Sequence, residues 1–300
     1  MRRAAVTLLA TIVFTPCLAA QTQDRGEGRV RHHQEYLVST EWLAARLQAP
    51  DVVVVEVGPT DASYRQAHIP GARFLPLAAV ATTINGLPNE FPPAADLVAA
   101  FRALGVGTRA RIVLYGDDPG RMAARAWVAL DLLGQSSRAS LLDGGLARWV
   151  AERRPVEQAA AAVEPRPFTA RLRADRVVTG AWVRERLGRA SVLLVDARPA
   201  EEYAGAGHIA GATSIYWMNT LASAADPVLR PMHELHEGIF KPAGADRPAV
   251  RTLVVYCHSG MQASFDYFVA RYIGYPDVRL YDGSMAEWMQ RGYPVETTPQ

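Results

Sequence analysis

Cys257 closes the apolar run Thr252–Tyr256 and opens the stretch His258-Ser259-Gly260-Met261-Gln262. A thiol placed between a buried strand and a helix sits where open parallel sheets bind their ligands. A short loop there turns backbone N–H groups inward, and the helix N-terminus adds to them. The result is a cradle for negative charge. A thiol in such a cradle is expected to have a depressed pKa and to act as a nucleophile. The competing reading is an inert buried cysteine; the strand–loop–helix position argues against it. The chain has two cysteines, Cys17 and Cys257, which excludes a disulfide framework and a cysteine-rich zinc module. His233 and His236 are spaced for one helix face, but no third metal ligand accompanies them, so an exposed helix is expected and no metal or cofactor is assigned.

The elements that must position Cys257 occur twice. Val52–Val57 leads to Tyr64 and then to His68-Ile69-Pro70-Gly71-Ala72. Val192–Ala197 leads to Tyr203 and then to His208-Ile209-Ala210-Gly211-Ala212, with an offset of 140 residues for the strand and the His-Ile turn. Asp143-Gly144-Gly145 precedes Trp149 and Pro155, as Asp282-Gly283-Ser284 precedes Trp288 and Pro294, with an offset of 139. Two matched blocks in the same order indicate a duplication. Within each copy, short β-rich apolar runs alternate with helical stretches. Strands are expected at 52–57, 112–115 and 139–142, then at 192–196, 253–256 and 278–281. Helices are expected at 41–47, 123–133, 181–187 and 265–273. That alternation implies an α/β fold in which each copy is a parallel sheet with helices on both faces. The copies should span 35–158 and 176–300, joined by an Ala- and Pro-rich linker at 159–175. His68 and His208 recur in both copies, so a structural role in the turn is favoured over catalysis. Trp149 and Trp288 read as core residues.

The repeated pattern, the Asp196-Ala197-Arg198 triplet, the His208–Ala212 turn, the Cys257–Gly260 loop and the Asp-Gly turns together resemble a tandem-domain rhodanese. The resemblance spans about residues 35–298. It implies two rhodanese-like domains and a sulfurtransferase that moves sulfane sulfur from thiosulfate or 3-mercaptopyruvate. In that family the C-terminal copy usually carries the cysteine. Here the first copy has Gly116 in its place, followed by Asp117 and Asp118, which would repel an anionic donor. Gly58 stands where the second copy has Arg198. The first copy is therefore expected to be inactive, walling one side of the site. The resemblance further implies a Cys257 persulfide held by the backbone N–H groups of residues 258–262. Arg198 matches the family arginine that contacts the donor anion; its alternative is a structural salt bridge. Substrate contacts are thus expected from Arg198, His258, Ser259, Gly260, Met261 and Gln262. The implied partners are a small anionic sulfur donor and a thiol or cyanide acceptor. Thiosulfate-type members resemble Cys-Arg-Lys-Gly and mercaptopyruvate-type members Cys-Gly-Ser-Gly. Cys257-His258-Ser259-Gly260 matches neither, so the donor stays open. Three rivals use similar parts. A cysteine phosphatase needs an arginine about six residues after the thiol, and Gln262 and Ala263 stand there instead. A Cys–His hydrolase and a non-enzymatic sulfur carrier or binding module remain open.

Residues 1–20 read as an export signal. Arg2 and Arg3 precede the apolar stretch Ala4–Phe14, Pro16 breaks it, and the small residues Ala19 and Ala20 come before Gln21. A flexible segment at 21–34 follows. Lipidation at Cys17 is the alternative, poorly matched by Pro16. Loss of 1–20 removes two arginines and no acid, leaving 30 residues of each sign and Cys257 as the last cysteine. The expected location is periplasmic or secreted, without a membrane span in the mature chain. The balanced charge gives no footprint for nucleic acid. With 49% hydrophobic and 21% charged residues, the chain is long enough for two cores and unlike a disordered one. Oligomeric state is not legible.

Overall fold

The computed structural model describes residues 32–116 and 118–297. The expected export signal, Cys17, nearly all of the 21–34 segment and Asp117 lie outside the described residues. The first half contains β1 (Leu37–Val38), β2 (Val52–Gly58), β3 (Arg73–Pro76), β4 (Thr82–Ile84), β5 (Leu87–Glu90), β6 (Arg111–Tyr115) and β7 (Ala139–Leu142). The second contains β8 (Val177–Val178), β9 (Val192–Asp196), β10 (His208–Ile209), β11 (Thr213–Ser214), β12 (Thr252–Tyr256), β13 (Val278–Tyr281) and β14 (Val295–Glu296). The main sheets are β1-β7-β6-β2-β3 and β11-β9-β12-β13-β8, five strands each and parallel throughout. Matched strands occupy matched places, so the duplication read from the sequence is a duplication of fold.

The central strands β2, β6, β9 and β12 bury both faces, which explains their unbroken Val/Leu/Ile runs. In β2, Val53, Val55 and Val57 enter one core cluster while Val54 enters another with Leu43, Tyr64 and Trp149. The same division splits Leu193 and Val195 from Leu194 in β9. Helices therefore cover both faces. The larger cluster runs through both halves without a break. Its centre is the packing of the helix Arg121–Leu132 on the helix Met261–Tyr272. Trp127 meets Phe268 edge to face at 5.0 Å, and Tyr267 Oη donates to Asp131 at 2.6 Å. These two helices follow the two matched strand–loop turns, so their contact brings the first half up to the Cys257 loop.

The repeated turns are structural in both copies. His68 Nδ1 lies 2.6 Å from the Tyr64 carbonyl and His208 Nδ1 2.9 Å from that of Tyr203, each ring stacked on its tyrosine at 3.8 Å. Trp149 and Trp288 are fully buried, and each donates its indole N–H to a proline carbonyl, Pro155 and Pro294, at 2.8 Å. Between Ala151 and Ala174 the chain carries no helix or paired strand apart from a bridge at Glu157.

Between the third and fourth strands of the main sheet the halves diverge: 77–110 carry a hairpin and a helix, where 215–251 carry short helical segments. β4 and β5 form an antiparallel hairpin closed by Asn85 and Gly86, both at positive φ (54° and 79°). A two-residue turn with both φ values positive matches strand twist, and Asn-Gly is its favoured sequence.

Candidate active site

β12 is the central strand of its sheet, and all five residues are buried. Cys257 leaves its carboxyl end at 1% exposure. The chain then turns through Gly260, whose φ of 82° caps the helix Met261–Tyr272. A side chain at Gly260 would be strained by that φ and would collide with Asp282, so glycine is required there. The amides of Ser259, Gly260, Gln262 and Ala263 lie around the Cys257 sulfur, close enough for each to favour its charged form. The amides around the sulfur are thus those of 259, 260, 262 and 263, where 258–262 was expected.

Ser284 pins this loop from beneath. Its hydroxyl accepts the Cys257 and Gly260 N–H groups, both at 3.1 Å, and donates to the Tyr281 carbonyl at 2.9 Å. Ser284 holds a φ of 51°, rare for a residue with a side chain. Its counterpart Gly145 holds 54°. The second copy keeps the unfavourable backbone and adds a hydroxyl that ties the loop together. Asp282 adds a second anchor: it pairs with the fully buried Arg125 of the first half at 2.5 Å and accepts the Phe91 N–H at 3.0 Å.

The thiol is not depressed as the loop geometry alone led us to expect. Complete burial pushes it above its ordinary value, and the four amides offset only part of that cost. The thiolate is therefore a minor form at neutral pH, well placed for stabilisation once charge develops.

A cleft of about 450 Å³ opens above the sulfur, lined by Cys257, His258, Ser259, Met261 and Gln262 together with Asn89, Arg121 and Glu202. His258 is exposed at its rim. Ser259 Oγ accepts from Asn89 Nδ2 at 2.9 Å, which fixes the hydroxyl. Gly260 is buried beneath and contributes backbone only. Arg198 stands apart from the lining. It is 2% exposed, with Nη2 2.6 Å from Asp196 Oδ2 and Nε 3.0 Å from Asp196 Oδ1, and Nη2 also donates to the Gly207 carbonyl at 2.8 Å. Its remaining nitrogen, Nη1, lies 3.8 Å from Glu202, which lines the cleft. The salt-bridge alternative describes this geometry better than the donor contact. The lining cation is Arg121, the first residue of the first half's helix and one the sequence reading passed over. It lies 3.3 Å from Asp118 and over the Trp217 ring. Asn89, also missed, sits on β5. The Asn85-Gly86 pair was the sequence signal for its hairpin. Repeat alignment gives no such signal for Arg121, because its counterpart is Met261 and only the packing of the halves carries it to Cys257. His236 pairs with Glu237 and Asp246, and among the described residues no cluster of three metal ligands forms.

The first copy shows what disables a cradle. Gly120 (φ 107°) matches Gly260, and Met122 matches Gln262. Their amides, whose counterparts face the sulfur in the second copy, are directed at the Asp118 carboxylate, from Gly120 at 3.1 Å and from Met122 at 3.4 Å. The void at this loop shrinks to about 30 Å³. A Cβ on Gly116 would lie 3.1 Å from the Val57 carbonyl and 3.2 Å from Asp118 Oδ1. Asp118 does more than repel an anion; it occupies the anion's place.

The comparisons agree with this paired architecture. The model of the rhodanese-like domain matches residues 39–152 and again 179–291. The chain is 34% identical to a probable 3-mercaptopyruvate sulfurtransferase of Pseudomonas aeruginosa, over 84% of this chain and 94% of that protein. It is 32% identical to a thiosulfate sulfurtransferase of the same organism, over 82% and 91%. The crystal structure of SseA from Escherichia coli, described as a 3-mercaptopyruvate sulfotransferase, superposes with a TM-score of 0.74 at 26% identity, over 83% of this chain and 98% of that one. With one copy's amide cradle built around a cysteine and the other's around its own carboxylate, the chain belongs to the rhodanese family as a tandem of two rhodanese-like domains.

Proposed function

We propose that this enzyme is a sulfurtransferase that carries sulfur on Cys257, with the first domain supplying the donor-binding cation. The carrying observation is the convergence of four backbone amides on a buried thiol beneath a cleft lined by Arg121. The Cys257 thiolate attacks the outer sulfur of thiosulfate; a Cys–S–S bond forms as the donor's S–S bond breaks, and sulfite leaves with the electron pair. The persulfide anion is then held by the amides of Ser259, Gly260, Gln262 and Ala263, preorganised donors that need no rearrangement as charge develops. Cyanide or a thiolate takes the terminal sulfur and returns Cys257 as thiolate. With 3-mercaptopyruvate the C–S bond breaks instead, its electron pair leaving on the pyruvate enolate, which is then protonated to pyruvate; Asn89, Ser259 and Gln262 offer polar groups to the donor's carbonyl or carboxylate.

Arg121 reads as the contact for the donor anion, with His258 at the rim. Arg198 reads as the residue that neutralises Asp196 behind Glu202. The leader-like residues 1–20 support export, with the chain then working in the periplasm or outside the cell; N-terminal sequencing of the natural protein starting at Gln21 is the expected result. The activity is tested by thiocyanate formation with each donor in turn. Multiple turnovers with a small donor support an enzyme. A single loading that needs a protein donor would make the chain a sulfur carrier instead.

A further inference from the structure

The helix that follows the catalytic loop contains a buried polar pair that the persulfide chemistry does not use. Asp266 is fully buried, and neither carboxyl oxygen has a hydrogen-bond partner among the described residues. One turn earlier on the same helix, Gln262 lines the cleft, yet its Oε1 is also buried and unpartnered. Residues four apart on a helix are neighbours on one face. Two buried acceptors left unpaired carry a large desolvation cost, and a proton on Asp266 lets one satisfy the other. The repeat supplies a control. Met122 and Ala126 stand at the matched positions of the inactive domain, on a helix equally buried. The fold itself therefore needs no polar residue at either place; the pair belongs to the copy that has the cysteine.

We infer that the Asp266 carboxyl donates to Gln262 Oε1 and so turns the Gln262 carboxamide N–H₂ toward the cleft, where it binds an oxygen of the anionic donor. Gln262 is then a specificity-determining contact and Asp266 its positioning residue. Burial, with the Asp196 carboxylate adding, holds Asp266 well above the usual carboxylate range, which keeps the needed proton in place. The charged groups near this carboxyl are Asp196 on β9 and, paired with it, Arg198.

This reading rests on the sulfur-transfer function proposed above, and the test separates the two. The variants are Gln262→Met, Asp266→Ala, their double, and Asp266→Asn, the first two taken from the inactive domain's own sequence. Gln262→Met and Asp266→Ala are each expected to raise the donor KM about tenfold, the size of one hydrogen bond to an anion, with kcat little changed. The double should be no worse than either single. Asp266→Asn should restore the wild-type KM, because its N–H₂ can donate to the same oxygen. Urea unfolding of the wild type, Gln262→Met, Asp266→Ala and the double gives a cycle independent of activity, expected to be non-additive by about tenfold in the unfolding constant. Additive effects in both cycles, or an Asp266→Asn variant as poor as Ala, would overturn the pairing. Coupling in the unfolding cycle with a wild type that never loads sulfur would instead overturn the donor role.

Discussion

Ser284 gives the sharpest quantitative handle on how the catalytic loop is held. Ser284→Ala removes the acceptor of the Cys257 and Gly260 N–H groups and leaves both buried. At about 1–3 kcal/mol for each unsatisfied donor, less some relaxation, the loss should be about 3 kcal/mol. Alanine must also keep the φ of 51°. Ser284→Gly loses the same two hydrogen bonds but relieves a left-handed backbone worth about 1–2 kcal/mol, part of which is returned as glycine's greater unfolded-state freedom. Glycine should therefore be destabilised by about 2 kcal/mol, less than alanine, although it removes more of the side chain. Urea unfolding at constant m-value measures the order, and both variants should load sulfur onto Cys257 at least tenfold more slowly. Two variants within about 0.5 kcal/mol of the wild type, or a glycine variant worse than alanine, would refute the reasoning that this residue stores strain in exchange for loop geometry.

Other consequences follow from the two arginines, the thiol and a half-buried carboxyl. Arg121→Ala should raise the donor KM about tenfold and leave stability within about 0.5 kcal/mol, because its side chain is 39% exposed. Arg198→Ala should instead cost about 3–5 kcal/mol of stability by leaving Asp196 buried and unpaired; KM shifts of equal size for both variants would contradict that division. Because the thiol lies above its ordinary value, the rate of sulfur loading should still be climbing above about pH 8.5. A loading rate that is already flat below pH 7 would contradict that direction. Burial, with the Asp282 carboxylate adding, pushes Glu90 up to about 7. Its folded value lies above the unfolded one, so its favourable contribution is present below about pH 4.3 and is lost as pH rises toward 7. Glu90→Gln should flatten that part of the Tm–pH curve and gain on the wild type at pH 8; unchanged curves would mean that Glu90 is ionised in the folded protein.

Much of this architecture was legible because it is written twice. Strands such as Val192–Asp196 and Ala139–Leu142 fall where the apolar runs predict, since strands covered on both faces show no alternation to misread. The thiol's place at a strand end was equally plain. The edge strands Leu37–Val38 and Val177–Val178 were not, because two residues carry no period. The hairpin at 82–90 was overlooked despite its Asn-Gly turn, and Asn89 with it. Arg121 and Arg198 failed for a different reason. What an arginine contacts is decided by packing between distant segments: Arg198 is claimed by Asp196 two residues away, and Arg121 reaches the cleft only because the two interface helices meet. The direction of the thiol's shift depends on how completely it is buried, which local spacing does not report.

The central claim is that Cys257 alone carries the sulfur. The measurement is intact mass and peptide mapping of the full chain after incubation with thiosulfate or 3-mercaptopyruvate, then after addition of cyanide. The account predicts a single gain of about 32 Da, one sulfur atom, on the Cys257 peptide; cyanide should discharge it as thiocyanate, and Cys257→Ser should abolish it while the protein stays folded. Sulfur transfer that persists in folded Cys257→Ser protein would contradict the account.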